Sequence, residues 1–276
     1  MTCDHRWAKC QIILFLLCFV LPASSAQNLL SNSGGAELGT LGGVKSTHHG
    51  AVAMMGNVAG IARNESLSLY AGADLRFSNP DLKFLNLSAA IPSDLGAFGF
   101  VFQHHGFELY NEQMIGIGYA RQLSEQVSFG AKFDYFQLRI PTYGKASYLA
   151  GELGVLSKIG RWVEVGFYVY HPFDRDLVEN EILPNQFTFG VNYQPSTKLK
   201  VLAEMTKTSD YQENMRFGIE YYFIDKFAIR LGVATEPALL SFGVALRPDG
   251  NMSVSLGSTF QQGLGMSPLL GVGYEQ

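Results

Sequence analysis

Residues 214–234, NMRFGIEYYFIDKFAIRLGVA, decide the fold. Met215, Phe217, Ile219, Tyr221 and Phe223 alternate with Arg216, Gly218, Glu220 and Tyr222. After Ile224-Asp225-Lys226 the alternation resumes, with Phe227, Ile229, Leu231 and Val233 set against Ala228, Arg230 and Gly232. A period of two is that of a β-strand, so the stretch is predicted to be a hairpin with one oily face and one polar face. Counting outward from the turn pairs Phe223 with Phe227, Ile219 with Leu231 and Glu220 with Arg230, which sets opposite charges across from each other. In a membrane barrel, an arginine facing hydrocarbon near the midplane would cost about 2–4 kcal/mol. The oily face is therefore assigned to lipid and the charged face to an enclosed aqueous interior.

Composition agrees with that assignment. Only 16% of residues are charged while 47% are hydrophobic, against about 25% charged in an ordinary soluble domain. The first 26 residues have a basic start at Arg6 and Lys9, an apolar run from Ile12 to Val20, and Ser24-Ser25-Ala26 before Gln27, the pattern of a secretory signal peptide. All of Cys3, Cys10 and Cys18 fall within it, so the chain that follows has no thiol for a disulfide, a zinc site or a nucleophile. That chain carries 18 basic and 23 acidic residues, a net charge of −5, which argues against nucleic acid as a partner. It contains no run of 18 apolar residues, so a closed barrel is the remaining way to cross a membrane.

Alternation and turn residues predict fourteen antiparallel strands, with twelve as the alternative count: 66–77, 82–91, 95–103, 113–122, 126–138, 146–158, 162–171, 185–194, 198–206, 215–223, 227–234, 239–247, 252–259 and 269–275. Short connections at 92–94, 124–125, 159–161, 195–197, 224–226 and 248–250 are expected to alternate with longer ones at 103–112, 172–184, 207–214 and 260–268, as in an up-and-down barrel. Pro248-Asp249-Gly250 is read as a three-residue hairpin loop, pairing Leu246 with Met252, Val244 with Val254 and Phe242 with Leu256. Phe223, Phe227 and Trp162 beside short turns are expected to form an aromatic belt.

The expected lumen-facing charges are Arg216, Glu220, Arg230, Glu204, Lys200, Glu152, Glu164, Lys132 and Asp134, whose default role is to keep the interior wet and hydrogen-bonded. The same face is rich in glycine, including Gly116, Gly118, Gly218, Gly232, Gly243, Gly257, Gly271 and Gly273, which leaves room for another segment. Residues 27–65, Gly-rich and without alternation, are expected to fill that room as a plug. The organisation is thus signal peptide 1–26, plug segment 27–65 and transmembrane β-barrel 66–276.

Other motifs are set aside. GTLGGVKST near Gly39 has Val44 between Gly43 and Lys45 and no preceding strand, so it is not a phosphate loop. His48-His49 and His104-His105 are read as surface or loop histidines, because neighbouring strand residues point to opposite faces and do not chelate together. Asp174, Asp176, Glu179 and Glu181 form an acidic loop that lacks the glycine turn of a calcium site. No Ser and His fall on one face of adjacent strands, so no enzyme activity, metal or cofactor is expected.

The segment GAVAMMGNVAGIARNESLSLYAG resembles the NPAG stretch preceding the first strand in FadL-like outer-membrane proteins and in PorV/PorQ-type proteins associated with type IX secretion. Asn57, Val58, Ala59 and Gly60 match it at three of four positions, with Val58 in place of proline. LYNEQMIGIGYARQL and FGIEYYFIDKFAIRLGV are similar to later strands of that group, and LLGVGYEQ is similar to a last-strand insertion signal. The PorV/PorQ resemblance implies a non-enzymatic outer-membrane component with a secretion-complex or cargo partner. The FadL resemblance implies the alternative, a transporter of a hydrophobic ligand. Either implies outer-membrane lipid as the surroundings.

Overall fold

A computed structural model describes residues 34–141, 144–171, 185–209 and 212–276. The signal-peptide pattern at 1–26, the start of the plug segment and the acidic loop at 172–184 lie outside the described residues. Fourteen antiparallel strands close into a barrel, each pairing with its sequence neighbours and the last with the first. They are β1 Ser68–Leu75, β2 Lys83–Ser93, β3 Gly96–Phe107, β4 Tyr110–Gln122, β5 Val127–Ile140, β6 Gly144–Ile159 and β7 Val163–Tyr170, followed by β8 Gln186–Ser196, β9 Leu199–Thr208, β10 Asn214–Ile224, β11 Phe227–Thr235, β12 Ala238–Leu246, β13 Met252–Gln261 and β14 Gly265–Glu275. Ser68 pairs with Glu275 at the seam. Among the described residues no helix is long and apolar enough to cross a membrane.

The two faces separate as the alternation requires. Phe217, Ile219, Leu231, Phe133 and Ile117 are exposed on the outside, while Arg216, Glu220 and Arg230 are buried inside. Trp162 and Phe223 are exposed beside turns at the end where the barrel begins and finishes, and Phe223 lies 5.1 Å from Tyr221 and 6.4 Å from Phe227, ring to ring.

Three expectations about connections are corrected. Glu220 does face Arg230 and Ile219 does face Leu231, but Phe223 bulges out and Phe227 pairs with Ile224. The hairpin after β12 is offset by two residues from the expected register: Leu246 pairs with Val254, Val244 with Leu256 and Phe242 with Ser258. The cause is a wider loop. The Met252 amide donates to Asp249 Oδ1 at 2.8 Å, while Met252 and Ser253 pair with β14 alone. Gly250 is not among the glycines with left-handed φ that the three-residue loop needed. A shift of two leaves every side chain on its original face. Lastly, several connections expected to be long are short, because strands continue past the point where alternation fades. Gln113 pairs with His104, Glu112 with His105 and Asn111 with Gly106, which leaves Glu108 and Leu109 between β3 and β4.

Inside the barrel, residues 34–63 cross the lumen as the short helix Gly35–Gly39 and the 3-10 turns Gly50–Met55 and Val58–Arg63. Their seat is a girdle of bare backbone. Gly99 faces Gly118, Gly130 faces Gly154, Gly166 faces Gly190, Gly218 faces Gly232, Gly243 faces Gly257 and Gly72 faces Gly271 across neighbouring strands. A β-carbon on Gly166 would lie 2.0 Å from the Ser46 carbonyl oxygen, and one on Gly232 would lie 2.1 Å from the Gly42 nitrogen. Of the two strands without such a glycine, β9 instead packs buried Leu202 with Leu41 and Val44. The core of this protein is therefore the contact between plug and wall, made of Leu38, Met54, Val58, Ile61, Val101 and their neighbours.

Candidate functional site

The plug is tied to the wall by four polar clusters, each using charged residues that the strand pattern turns inward. At one side Arg230 of β11 reaches the Glu37 carboxylate of the plug helix with both terminal nitrogens, at 2.7 Å each. It also donates to Ser255 Oγ at 3.0 Å and, through Nε, to Glu220 directly across on β10. Burial alone would push the Glu37 carboxyl up, but the Arg230 guanidinium overrides it and holds the group down at about 2. Tyr70 of β1 donates to the Gly34 carbonyl at 3.0 Å and fixes the start of the helix.

Next around the barrel, Arg216 and Glu204 pair across β10 and β9 at 2.8 Å. Glu204 Oε2 then accepts the backbone amides of Lys45 and Ser46 of the plug, each at 2.7 Å. Lys200 sits opposite Glu220 on the same pair of strands and is half-buried. A third cluster joins Lys132 and Glu152 across β5 and β6 at 3.0 Å. Lys132 Nζ also donates to the Met54 carbonyl at 3.0 Å and stands 3.5 Å from Asp134. The fourth lies near the chain-terminal end, where Glu164 is held by Arg63 at 3.0 Å and by His49 at 2.7 Å. Arg63 also donates through Nη2 to the Gln126 carbonyl at 2.5 Å.

The Asn57-Val58-Ala59-Gly60 stretch lies between these clusters. Asn57 caps the second 3-10 turn, its side chain accepting from Ala59 N at 3.2 Å. Its Nδ2 donates to the Ser46 and Val155 carbonyls at 2.9 Å each. Val58 donates its backbone N–H to Glu152 Oε1 at 3.2 Å, a bond that proline could not make. Gly60 is held so near the His48 carbonyl that a β-carbon would lie 2.0 Å from it.

All nine wall charges named from the sequence thus face the interior, eight of them buried and Lys200 half-buried. The strand pattern did not identify Glu37, Lys45, Arg63 and His49, the plug residues that meet or join them. One signal existed for the cations among them: the wall list holds five carboxylates against four bases, so the plug segment was a place to look for one more, whereas nothing in the pattern pointed to Glu37. The histidines are also corrected. His48 does lie in a loop of the plug but is buried there, and His105 is neither surface nor loop, since it sits on β3 stacked against Phe84 with ring centroids 3.8 Å apart.

Two cavities open on the side of the plug away from the chain-terminal end. One is bordered by Asp74, Arg76, Asn214, Arg216 and Gln261 and is polar at its mouth. The other is walled by Met55, Met114, Phe136, Tyr168 and Tyr170, with Lys45, Gln103, Lys132, Asp134, Glu152 and Gln186 also in its lining. Phe136 stacks on Tyr148 at 4.6 Å and meets Tyr170 edge-on at 6.4 Å, so this wall is aromatic. Flexible methionines beside aromatic rings suit a small apolar guest.

No family model and no curated protein matches the sequence. Solved structures do match the fold. The structure titled CymD monoaromatic hydrocarbon channel aligns with a TM-score of 0.69 at 16% identity, over 91% of this chain and 98% of that one. The Pseudomonas putida toluene transporter TodX aligns at 0.69 and 14%, over 90% and 99%. A Pseudomonas aeruginosa FadL homologue aligns at 0.60 and 12%, over 88% and 95%. At these identities the likeness concerns the fold, a closed fourteen-stranded barrel.

Proposed function

We propose that the protein is an outer-membrane channel for small hydrophobic molecules, with the chain-terminal end of the barrel toward the periplasm. The observation that carries this reading is the cavity walled by Met55, Met114, Phe136 and Tyr170 on the far side of a plug that is itself seated in a fourteen-stranded barrel. Aromatic and methionine walls beside convergent polar groups are a usual form of a small-molecule site. A band of exposed Phe, Ile, Leu and Val on the outside is stable in lipid and prone to aggregate in water. The comparison proteins described as hydrocarbon channels and toluene transporters favour this alternative over the secretion-component reading, for which neither the site nor the comparisons give support. The FadL half of the sequence resemblance is retained and the PorV/PorQ half is not. As the comparison proteins are transporters, the reading is non-enzymatic.

The test is uptake of labelled toluene at low concentration by Gram-negative cells with and without the protein. Uptake several-fold faster with the protein is expected, and a Met114→Trp variant that fills the cavity should remove the gain. Equal uptake in all three strains would refute the proposal.

A further inference from the structure

The base of the aromatic cavity holds a polar group that a plain hydrocarbon would leave unserved. Asp134 is fully buried and lines the cavity, and neither carboxylate oxygen has a hydrogen-bond partner among the described residues. Its nearest cation is Lys132 at 3.5 Å. Lys132 makes its shorter contacts elsewhere, to Glu152 at 3.0 Å and to the Met54 carbonyl at 3.0 Å. Oδ1 leans over Gly116, the residue directly across on β4, where the missing side chain leaves it space; a β-carbon there would lie 2.1 Å from it. The Tyr170 hydroxyl on the same cavity wall is also buried without a partner among the described residues.

A buried acceptor without a donor is costly, and a guest that brings a donor relieves that cost. From these placements, and resting on the channel reading above, we infer that the cavity selects a small aromatic alcohol or phenol over the bare hydrocarbon. The guest's O–H donates to Asp134, its oxygen accepts from Tyr170, and its ring lies among Met114, Phe136 and Tyr170. A neutral hydroxyl is favoured over an amine because the cavity already balances Lys45 and Lys132 against Asp134 and Glu152. An added cation would sit beside both lysines.

Equilibrium dialysis of the purified full chain in detergent, corrected against protein-free micelles, tests this with toluene, p-cresol and 4-methylanisole. The last retains the oxygen and lacks the donor. Binding of p-cresol at least tenfold tighter than toluene or 4-methylanisole is expected, with the preference reduced to less than threefold in Asp134→Leu and weakened in Tyr170→Phe. Similar affinities of the native chain for all three would overturn the selectivity while leaving a hydrophobic channel in place. Binding of none would overturn both readings. Because the decisive comparison uses the native chain, a variant that fails to fold does not remove the test.

Discussion

Replacing Arg230 with leucine should release the plug while leaving the barrel closed. Arg230 holds the Glu37 carboxylate with two nitrogens, where Ser255 Oγ adds one bond at 2.9 Å, and it also neutralises Glu220. From the strand pattern alone, a luminal arginine exchanged for leucine would be expected to lower stability modestly. The structure raises that expectation, because Arg230→Leu leaves two carboxylates facing an apolar side chain in a confined space. Removing one partner of a buried ion pair typically costs about 3–5 kcal/mol. At about 1.4 kcal/mol per factor of ten, that is two to three and a half powers of ten in the ratio of seated to unseated plug. The strand ladders do not depend on this contact, so the loss falls on residues 34–63. Limited proteolysis in detergent micelles should cut that segment at least a hundredfold faster in the variant, while strand circular dichroism persists to nearly the native melting temperature. Adding Glu37→Leu to Arg230→Leu should recover part of the protection by removing one stranded charge. Cleavage at the native rate in the single variant would refute the assignment of Arg230 as a latch.

Gly166→Val should also unseat the plug, because its β-carbon would meet the Ser46 carbonyl at 2.0 Å; planar-bilayer recording should show larger and more frequent conductance steps than the native chain. Leu231→Arg, on the exposed lipid-facing side, should cost about 2–4 kcal/mol if it lies near the midplane, and refolding yield into vesicles measured by gel mobility should fall steeply. Acid should loosen the Glu37 latch. Its carboxyl is held down at about 2 in the folded chain, against an ordinary value of 4.5, so its contribution is full above pH 4.5 and is lost as pH falls toward 2. Hydrogen exchange over residues 34–43, corrected for intrinsic rate, should accelerate across that window in the native chain and much less in Glu37→Gln.

The barrel was legible in the sequence because its solvent problem is local: each residue faces either lipid or lumen, and period two records which. Parity also survives errors of register, which is why the hairpin at Leu246 could be misaligned by two residues without moving one side chain to the wrong face. Connection lengths were less legible. Beyond the lipid-facing zone a strand no longer needs an oily side, so His104 and Gln113 pair where alternation had stopped. The plug could be anticipated as something filling a glycine-lined interior, but not traced. Its contacts run to bare wall backbone, from its own main chain as Ser46 does at Gly166 and from irregularly spaced side chains as Met54 does at Gly99, and such contacts leave no periodic signature. The nine charges could be assigned to a face, while their partners could not, since Glu37 and Arg63 reach residues more than a hundred positions away.

The glycine girdle implies an unusual distribution of mutational sensitivity. A collar that holds its insert this closely should reject nearly any enlargement of its own rim, even to alanine at several positions. The insert meets that rim partly through its main chain, at Ser46 and Gly42, and partly through the side chains of Thr40, Met54 and Asn57, so it should tolerate varied side chains only where they do not touch the rim. The constraint of such a fit would then lie on the facing surfaces of cylinder and stopper together, rather than on the fourteen outward-facing oily stripes.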